Sequence, residues 1–559
     1  MKAEIKKQGG ALRLFVDGQM IAPDAYITYI TRKARYEDFA KAGYRLFSLP
    51  IFFSSKTLNE NAQYPCFSHY AVFDTDEAQW EQVDEDFRKI VRACPDAMIF
   101  PRVNISLSEA WERANPDELN DEGFAPLHRP SFSSDKWAAE TMRLYGMFID
   151  HVKAQDYAKN IVGYQIAAGN TEEWITHDRH GSIGKRSREK YAEWLAESGA
   201  PDTEENHSDF LSDMVAKRIC DLATFTKERA GRDCVVGSFY GYSLQFNPRL
   251  ECHNSLIRVL ECPDIDFICS PVSYAQGRRL GRDHSTMLPW SSLAEHGKMY
   301  FAENDTRTSL SRSPFPDNPY FDLPVFGART RYDSIEQIKL HYSRAMIYGY
   351  GHWWFDMFGG WFADGEYMSL LEKLREVSEQ SLGKSLASVS EIGVFVDEKA
   401  INSIGDNKLL EKFRQHTRDT FGNIGAPVDC FLIDDYESVK DRYKALILLE
   451  AGKTERSEAL KADAAERGVG CFVVGSDNYN ERPSVIRDFC RGCGAHIYSD
   501  RDDVVYANES YLFIHTCEAG IPDIRLPEGK TLAPVIGSLG ENGELPEKYG
   551  VLFEIRESE

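Results

Sequence analysis

The chain has 559 residues, 42% of them apolar, too many for one ordinary core and enough for two to four packed domains. Its net charge of −23 argues against nucleic acid or an anionic membrane as partner, since both need a basic face. The N-terminus lacks a secretory apolar core, and no stretch reaches the ~20 apolar residues of a membrane helix. The 12 cysteines follow no disulfide spacing, so a reduced, cytoplasmic protein is expected.

The elements begin with a hairpin, Leu12–Val16 and Met20–Ile21 around an Asp17-Gly18 turn. Apolar strand segments come next at Tyr26–Ile30, Tyr44–Ile51, Ala97–Ile105, Ile161–Ala168, Cys234–Tyr240, Asp266–Tyr274, Lys298–Ala302 and His352–Phe358. Amphipathic stretches such as Lys136–Lys153, Arg188–Ser198, Phe210–Arg229 and Ser334–Tyr348 separate them. Eight continuous apolar strands alternating with helices predict a (β/α)8 TIM barrel within residues 1–385, hairpin included. A smaller α/β unit is expected over 386–498. Its strands are Glu391–Val396, Val428–Ile433, Tyr443–Glu450 and Val469–Val474, and its helices Asn407–Phe421 and Glu455–Arg467. Short strands Val504–Ala507, Ser510–Thr516 and Val551–Ile555 predict a small β-sandwich domain over 499–559.

Strand counting places two acidic segments. Gly169-Asn-Thr-Glu-Glu-Trp174 follows the fourth strand, and Ala302-Glu303-Asn304-Asp305 ends the seventh. Barrel sites open at the carboxyl ends of the strands, so both segments face one mouth. Hydrolysis of a glycosidic bond needs such a carboxyl pair, one proton donor and one nucleophile or base. Glu303 is read as the nucleophile, with Arg102 or Arg307 holding it ionised. Of Glu172 and Glu173, the second is preferred as the acid because Trp174 beside it offers an apolar wall. Glu172 is left for sugar hydroxyls or a salt bridge.

The eighth strand region, His352-Trp-Trp-Phe-Asp-Met-Phe-Gly-Gly-Trp361, is rich in rings suited to stacking on pyranose faces. Trp353, Trp354, Asp356 and Trp361 are therefore candidate substrate contacts, as are Tyr240 and Tyr274 at the ends of the fifth and sixth strands. His177 and His180 lack a third ligand and read as a solvated loop, so no metal is expected. Cys490-Arg-Gly-Cys493 is a lone pair of thiols without a second pair at zinc spacing.

With barrel and glutamates placed, the chain resembles the clan-A glycoside hydrolases, and its three-part layout is similar to the family 42 β-galactosidases. Gly163-Tyr-Gln-Ile166 resembles the strand leading to that family's acid/base, and Phe301-Ala-Glu-Asn304 matches the nucleophile segment. Val394-Phe-Val-Asp397, Gly425-Ala-Pro-Val428 and Leu432-Ile-Asp-Asp435 resemble its flavodoxin-like trimerisation domain. One departure is that the clan sets Asn directly before the acid/base, whereas here Asn170-Thr-Glu separates Asn170 from Glu173. The resemblance implies a homotrimeric, cofactor-free, retaining exo-β-glycosidase acting on small oligosaccharides, with Asn170 on the sugar's 2-hydroxyl. A β-galactosidase is the first reading. A β-mannosidase or other β-glycosidase of a related family, and a catalytically silent carbohydrate-binding barrel, are the alternatives.

Overall fold

In the computed structural model, residues 1–558 are described except 56–69, 76, 121–128, 176–183, 245–251, 275–277, 313–327, 404–420, 476–477 and 479–480. Three N-terminal strands, β1 (Ala3–Gln8), β2 (Ala11–Val16) and β3 (Gln19–Ile21), form an antiparallel sheet. Val16 pairs with Gln19 across a two-residue loop, and Asp17 and Gly18 both take positive φ (49° and 80°). Such a turn matches the strand twist. The sheet covers the lower end of the barrel, where the Ala3 N–H reaches the Asp233 carbonyl (2.7 Å).

The barrel is built from β4 (Asp24–Ile27), β5 (Leu46–Phe47), β6 (Pro50–Phe52), β7 (Met98–Ile99), β8 (Arg102–Asn104), β9 (Gly163–Ala167), β10 (Val235–Phe239), β11 (Phe267–Pro271), β12 (Met299–Asn304) and β13 (Gly351–Phe355). All pair in parallel, in the order β6-β8-β9-β10-β11-β12-β13-β4-β5-β7. β5 and β6 are halves of one stave, as are β7 and β8, and the Phe100 and Arg102 N–H groups bond Phe47 and Leu49 across the breaks. The ten segments thus make eight staves, and pairing both halves closes the ring. The expected TIM barrel is present, with each stave shorter than its apolar run.

Aromatic rings fill the barrel below its mouth. Phe267 and Phe301 lie 5.4 Å apart, Phe100 is 5.8 Å from Phe301, and Trp353 stacks on Phe301 at 5.8 Å. Gly237 and Gly351 pair with Phe267 and Phe301, and a Cβ at either glycine would overlap the neighbouring ring. Small residues opposite large ones let one layer close without voids. The result is a buried aromatic floor.

β14 (Ile392–Val396), β15 (Asp429–Leu432), β16 (Ala445–Leu449) and β17 (Gly470–Val474) form a second parallel sheet in the order β15-β14-β16-β17. That 2-1-3-4 order is the flavodoxin-like one. The expected helix Asn407–Phe421 lies outside the described residues apart from Phe421, which sits in a short turn.

β18 (Val504–Ala507), β19 (Tyr511–His515), β20 (Lys530–Ile536) and β21 (Gly550–Glu557) make one antiparallel sheet, ordered β18-β19-β21-β20. Among the described residues no second sheet packs on it, so the expected sandwich is corrected to a single sheet. Its two faces find other cover: the barrel helix Arg331–Ile347 on one side, and irregular chain carrying Ile524, Leu526 and Leu545 on the other. β20 escapes a sequence reading because its residues are mostly half-exposed.

Candidate active site

Glu303 is the fifth residue of β12 and pairs in register with Pro271 and Trp353 of its neighbours. Strand alternation turns Asn304 outward, where its amide meets the His352 ring (3.1 Å), and leaves Glu303 inside. Its Oε2 accepts from Arg102 Nη2 (2.7 Å) and Trp353 Nε1 (3.2 Å). Arg102 enters from β8 and is fixed by Gln165 of β9, to which its Nε donates (3.1 Å). The rings of Phe239, Trp353 and Phe355 stand 4.9–5.1 Å from the guanidinium. Burial pushes Glu303 up to about 7, with Arg102 pulling down and Asp305 pushing up.

The other carboxyl comes from a loop that doubles back on its strand. The Trp174 N–H returns to the Ala168 carbonyl (2.7 Å) and the Asn170 N–H to that of Ile175 (3.1 Å). Glu173 therefore lies alongside Ala168 at the end of β9 despite standing five residues later. The reversal forces positive φ on Gly169 (75°), Thr171 (55°), Glu172 (69°) and Trp174 (61°). Three of these are not glycine and Thr171 is β-branched, a conformation that stores strain and clusters at functional sites.

Glu173 accepts from Thr171 Oγ1 (2.6 Å) through one oxygen and from Tyr242 OH (2.8 Å) through the other. Burial, then the nearby charge of Glu303, pushes it up to about 8, against the pull of those two hydroxyls and Arg102. Glu172 is fully buried beneath it, 3.7 Å from Arg102 Nη1, with Tyr29 and Asn104 close by; burial raises its pKa and these three groups oppose the rise. Past β12, Asp305 binds Arg278 (2.5 Å) and Tyr274 OH (2.8 Å).

The structure thus brings together Glu173, Glu303, Arg102, Glu172 and Trp353, and sets Tyr274 one step away on Asp305. Other candidates are turned elsewhere. Tyr240 OH donates to the Ser212 (2.8 Å) and Cys252 (3.1 Å) carbonyls, on the helix side of its strand. Trp354 Nε1 donates outward to Tyr44 OH (2.9 Å). Asp356 accepts from Tyr26 OH (2.9 Å) and the N–H groups of Gly360 (3.1 Å) and Trp361 (2.7 Å), so it ties the turn after β13. Trp361 packs on Phe358 (5.8 Å) with Arg307 over its ring (5.9 Å). Asn170 is buried and builds the loop turn through its backbone. Trp174 does not wall Glu173: its indole donates to the Ile166 carbonyl (3.3 Å) and lies against Phe132 (5.2 Å). His177 and His180 lie outside the described residues.

Sequence reasoning missed Tyr242, Thr171, His253 and Tyr29. Tyr242 and His253 stand in loops beyond β10, where no periodicity fixes a side chain's direction. Thr171 carried a readable signal, a hydroxyl two residues before a carboxylate in a turn-rich segment. Among the described residues, no group of three or more His, Cys, Asp or Glu is placed to hold a metal ion, and no helix is long and apolar enough to cross a membrane.

Two buried carboxyl groups stand at the carboxyl ends of the fourth and seventh staves, at one mouth of the barrel. No protein-family model matches the chain, and no curated protein matches its sequence. Its fold is similar to two solved β-galactosidases. The one from the psychrophilic Marinomonas ef1 has a TM-score of 0.63 at 11% identity, over 95% of this chain and 99% of that one. The one from Rahnella sp. R3 has a TM-score of 0.63 at 9% identity, over the whole of both chains. At these identities the likeness is one of fold, and it covers all three parts of the chain.

Proposed function

We propose that the chain is a retaining exo-β-glycosidase that removes terminal β-linked sugars from small oligosaccharides, with β-galactosides the first substrates to test. One observation carries the reading: two buried carboxyls at the barrel mouth differ in environment in the way double displacement requires. Glu303, gripped by Arg102 and Trp353, ionises first and attacks the anomeric carbon. Glu173, raised to about 8, keeps its proton at neutral pH and delivers it to the leaving oxygen. Once the aglycone has left, Glu173 takes a proton from water, which releases the sugar from Glu303 with net retention. Arg102 and the Trp353 N–H then face the carboxylate that departs. No cofactor enters these steps.

The fold of the two solved β-galactosidases supports a sugar substrate, and the family 42 resemblance supports a homotrimer, which light scattering of the purified chain tests. The deciding assay uses nitrophenyl β-glycosides of galactose, mannose, glucose and fucose on wild type, Glu173→Gln and Glu303→Gln. Glu303→Gln is expected to abolish turnover. Glu173→Gln is expected to lose about 10²- to 10⁴-fold on poor leaving groups. Proton NMR of the first-formed sugar is expected to show the β-anomer. A wild type that binds sugars and cleaves none would leave a carbohydrate-binding barrel, and an α-anomer formed first would replace retention by inversion.

A further inference from the structure

Glu173 does not rest on the barrel alone. The segment Cys252–Ile257 runs under its loop, and His253 at its head is buried between two tyrosines, 4.8 Å from the Tyr240 ring and 4.6 Å from that of Tyr242. The Tyr242 N–H points at His253 Nδ1 (3.4 Å), so the ring's proton sits on Nε2, and the main chain of Glu173 is near enough to act on the ring. Burial lowers His253 to about 3, so it stays neutral and acts by shape and hydrogen bonding. It thus braces the tyrosine that donates to the Glu173 carboxyl.

The segment itself is held from the second sheet. The helix Glu398–Ile401 follows β14, and Glu398 is buried at its start. Its two oxygens accept the main-chain N–H groups of Leu256 (2.9 Å) and Ile257 (3.3 Å), donors that the short helix Leu256–Leu260 cannot satisfy from within. Asn402 Oδ1 accepts from Asn254 Nδ2 (2.8 Å) and Ser208 Oγ (3.2 Å), and Asn402 Nδ2 donates to Asp209. Lys399 Nζ donates to Ser255 Oγ (2.9 Å). Consecutive residues 254–257 are each held by a side chain from the turn of helix after β14, and residue 253 touches Tyr242, which donates to Glu173.

We propose that Glu398 and Asn402 are positioning residues for Glu173: the second domain clasps segment 254–257 and through His253 and Tyr242 fixes the aim of the proton donor. The inference rests on the reading of Glu173 as acid/base and adds that the α/β domain is part of the catalytic apparatus. The groups that act on or feel the Glu173 carboxyl include Glu303, Arg102, Thr171, Tyr242 and Tyr274, and of these the clasp reaches Tyr242, through His253.

The test compares kcat/KM of wild type, Glu398→Gln and Asn402→Ala on two glycosides of the same sugar, one with a dinitrophenyl and one with an alkyl leaving group. A dinitrophenolate departs without a proton, whereas an alkoxide needs one. Expected is a fall of about tenfold or more on the alkyl glycoside with little change on the dinitrophenyl one, together with a displaced alkaline limb of the pH–rate profile. Arg442→Ala cuts a different tie between the same two parts, the Arg442–Glu295 pair (2.8 Å), and is expected to leave the ratio of the two substrates unchanged. His253→Gln and His253→Ala read the same ratio should the Glu398 variant fail to fold. Equal losses on both substrates, or no loss on either, would overturn the clasp while leaving the glycosidase intact. A wild type inactive on both substrates takes down the acid/base reading and the clasp with it.

Discussion

Glu173 and Glu303 share one buried field, yet their partners differ in sign. Glu303 faces a fixed guanidinium, while Glu173 faces two neutral hydroxyls and the charge of Glu303 itself. This asymmetry predicts a bell-shaped kcat/KM profile. The acidic limb reports Glu303 losing its charge as pH falls through about 7, and the alkaline limb Glu173 losing its proton as pH rises through about 8. In Glu173→Gln, measured on a dinitrophenyl glycoside, the alkaline limb is expected to vanish and the acidic limb to stay near pH 7, because Glu173 is already neutral where Glu303 titrates. An alkaline limb that persists in that variant would detach Glu173 from it.

The same field sets stability. A carboxyl raised from 4.5 to about 8 binds a proton in the folded chain where the unfolded chain has released it. Stability therefore falls as pH rises from about 4.5 to about 8 and is unaffected below that window. Glu173→Gln removes this loss and is expected to melt a few degrees higher than wild type at pH 8 and at the same temperature at pH 4.5. Glu303, raised to about 7, follows the same sign over a narrower window, so Glu303→Gln is also expected to melt higher than wild type at pH 8, by a smaller margin. Thermal melts at both pH values check the pair, and a variant that melts lower than wild type at pH 8 would contradict the raised pKa assigned to its carboxyl.

At the scale of elements, the loop Gly169–Ile175 gives up backbone comfort for aim. Holding a β-branched residue at φ 55° costs about 1–3 kcal/mol, whereas glycine's extra chain entropy costs about 0.5–1 kcal/mol. The strain term wins, so Thr171→Gly is expected to hold or raise the melting temperature. Activity is expected to fall about tenfold or more, since the Oγ1 donor and the tight reversal that fixes Glu173 are both weakened. A variant with lower stability and full activity would reverse the assignment of strain to function. The loop also marks the limit of what the sequence made legible. Eight apolar runs suffice to count staves, and the count alone puts Glu303 and the Glu172-Glu173 pair at one mouth. Choosing between adjacent glutamates needs the reversal, which rests on main-chain bonds such as Trp174 to Ala168 that no side-chain pattern encodes. Trp353 and Trp354 differ only in parity. Pairing Trp353 with Glu303 settles it, and that register is a property of two strands together rather than of either run. Tyr240 misleads a sequence reading for a related reason: it lies just past the strand end, while its loop neighbour Tyr242 reaches the carboxyl.

For the whole molecule, the barrel and the C-terminal sheet meet on the helix Arg331–Ile347. Nearly every residue from Ser334 to Ile347 is buried, including Glu336, Lys339, His341 and Arg344, a composition unfit for a helix with one wet face. The C-terminal sheet supplies the missing cover. Lys339 Nζ donates to the Gly550 carbonyl (2.9 Å), the Gly550 N–H to Glu336 (2.7 Å), and Asn508 to the Ile347 carbonyl (2.7 Å). Arg344 binds Asp283 (2.6 Å), which also accepts from Tyr506 OH (2.6 Å). From the helix the contacts continue to the site: His341 Nε2 meets His284 Nδ1 (2.8 Å), and His341 Nδ1 accepts from Thr306 (2.5 Å), three residues past Glu303. His284 gives its own ring proton to the Arg279 carbonyl (3.0 Å), which fixes both rings as neutral, one-way links. A chain ended at residue 503 would therefore strip two buried side chains of this helix, Glu336 and Lys339, of their Gly550 partners, at a cost of about 1–3 kcal/mol each, and uncover the face on which they stand. Expected is an insoluble or molten product, with wild type unfolding in a single calorimetric transition rather than in separate barrel and sheet steps. A truncated chain that stays folded and cleaves glycosides at the wild-type rate would show that the C-terminal sheet is an appendage and that the helix finds its cover elsewhere.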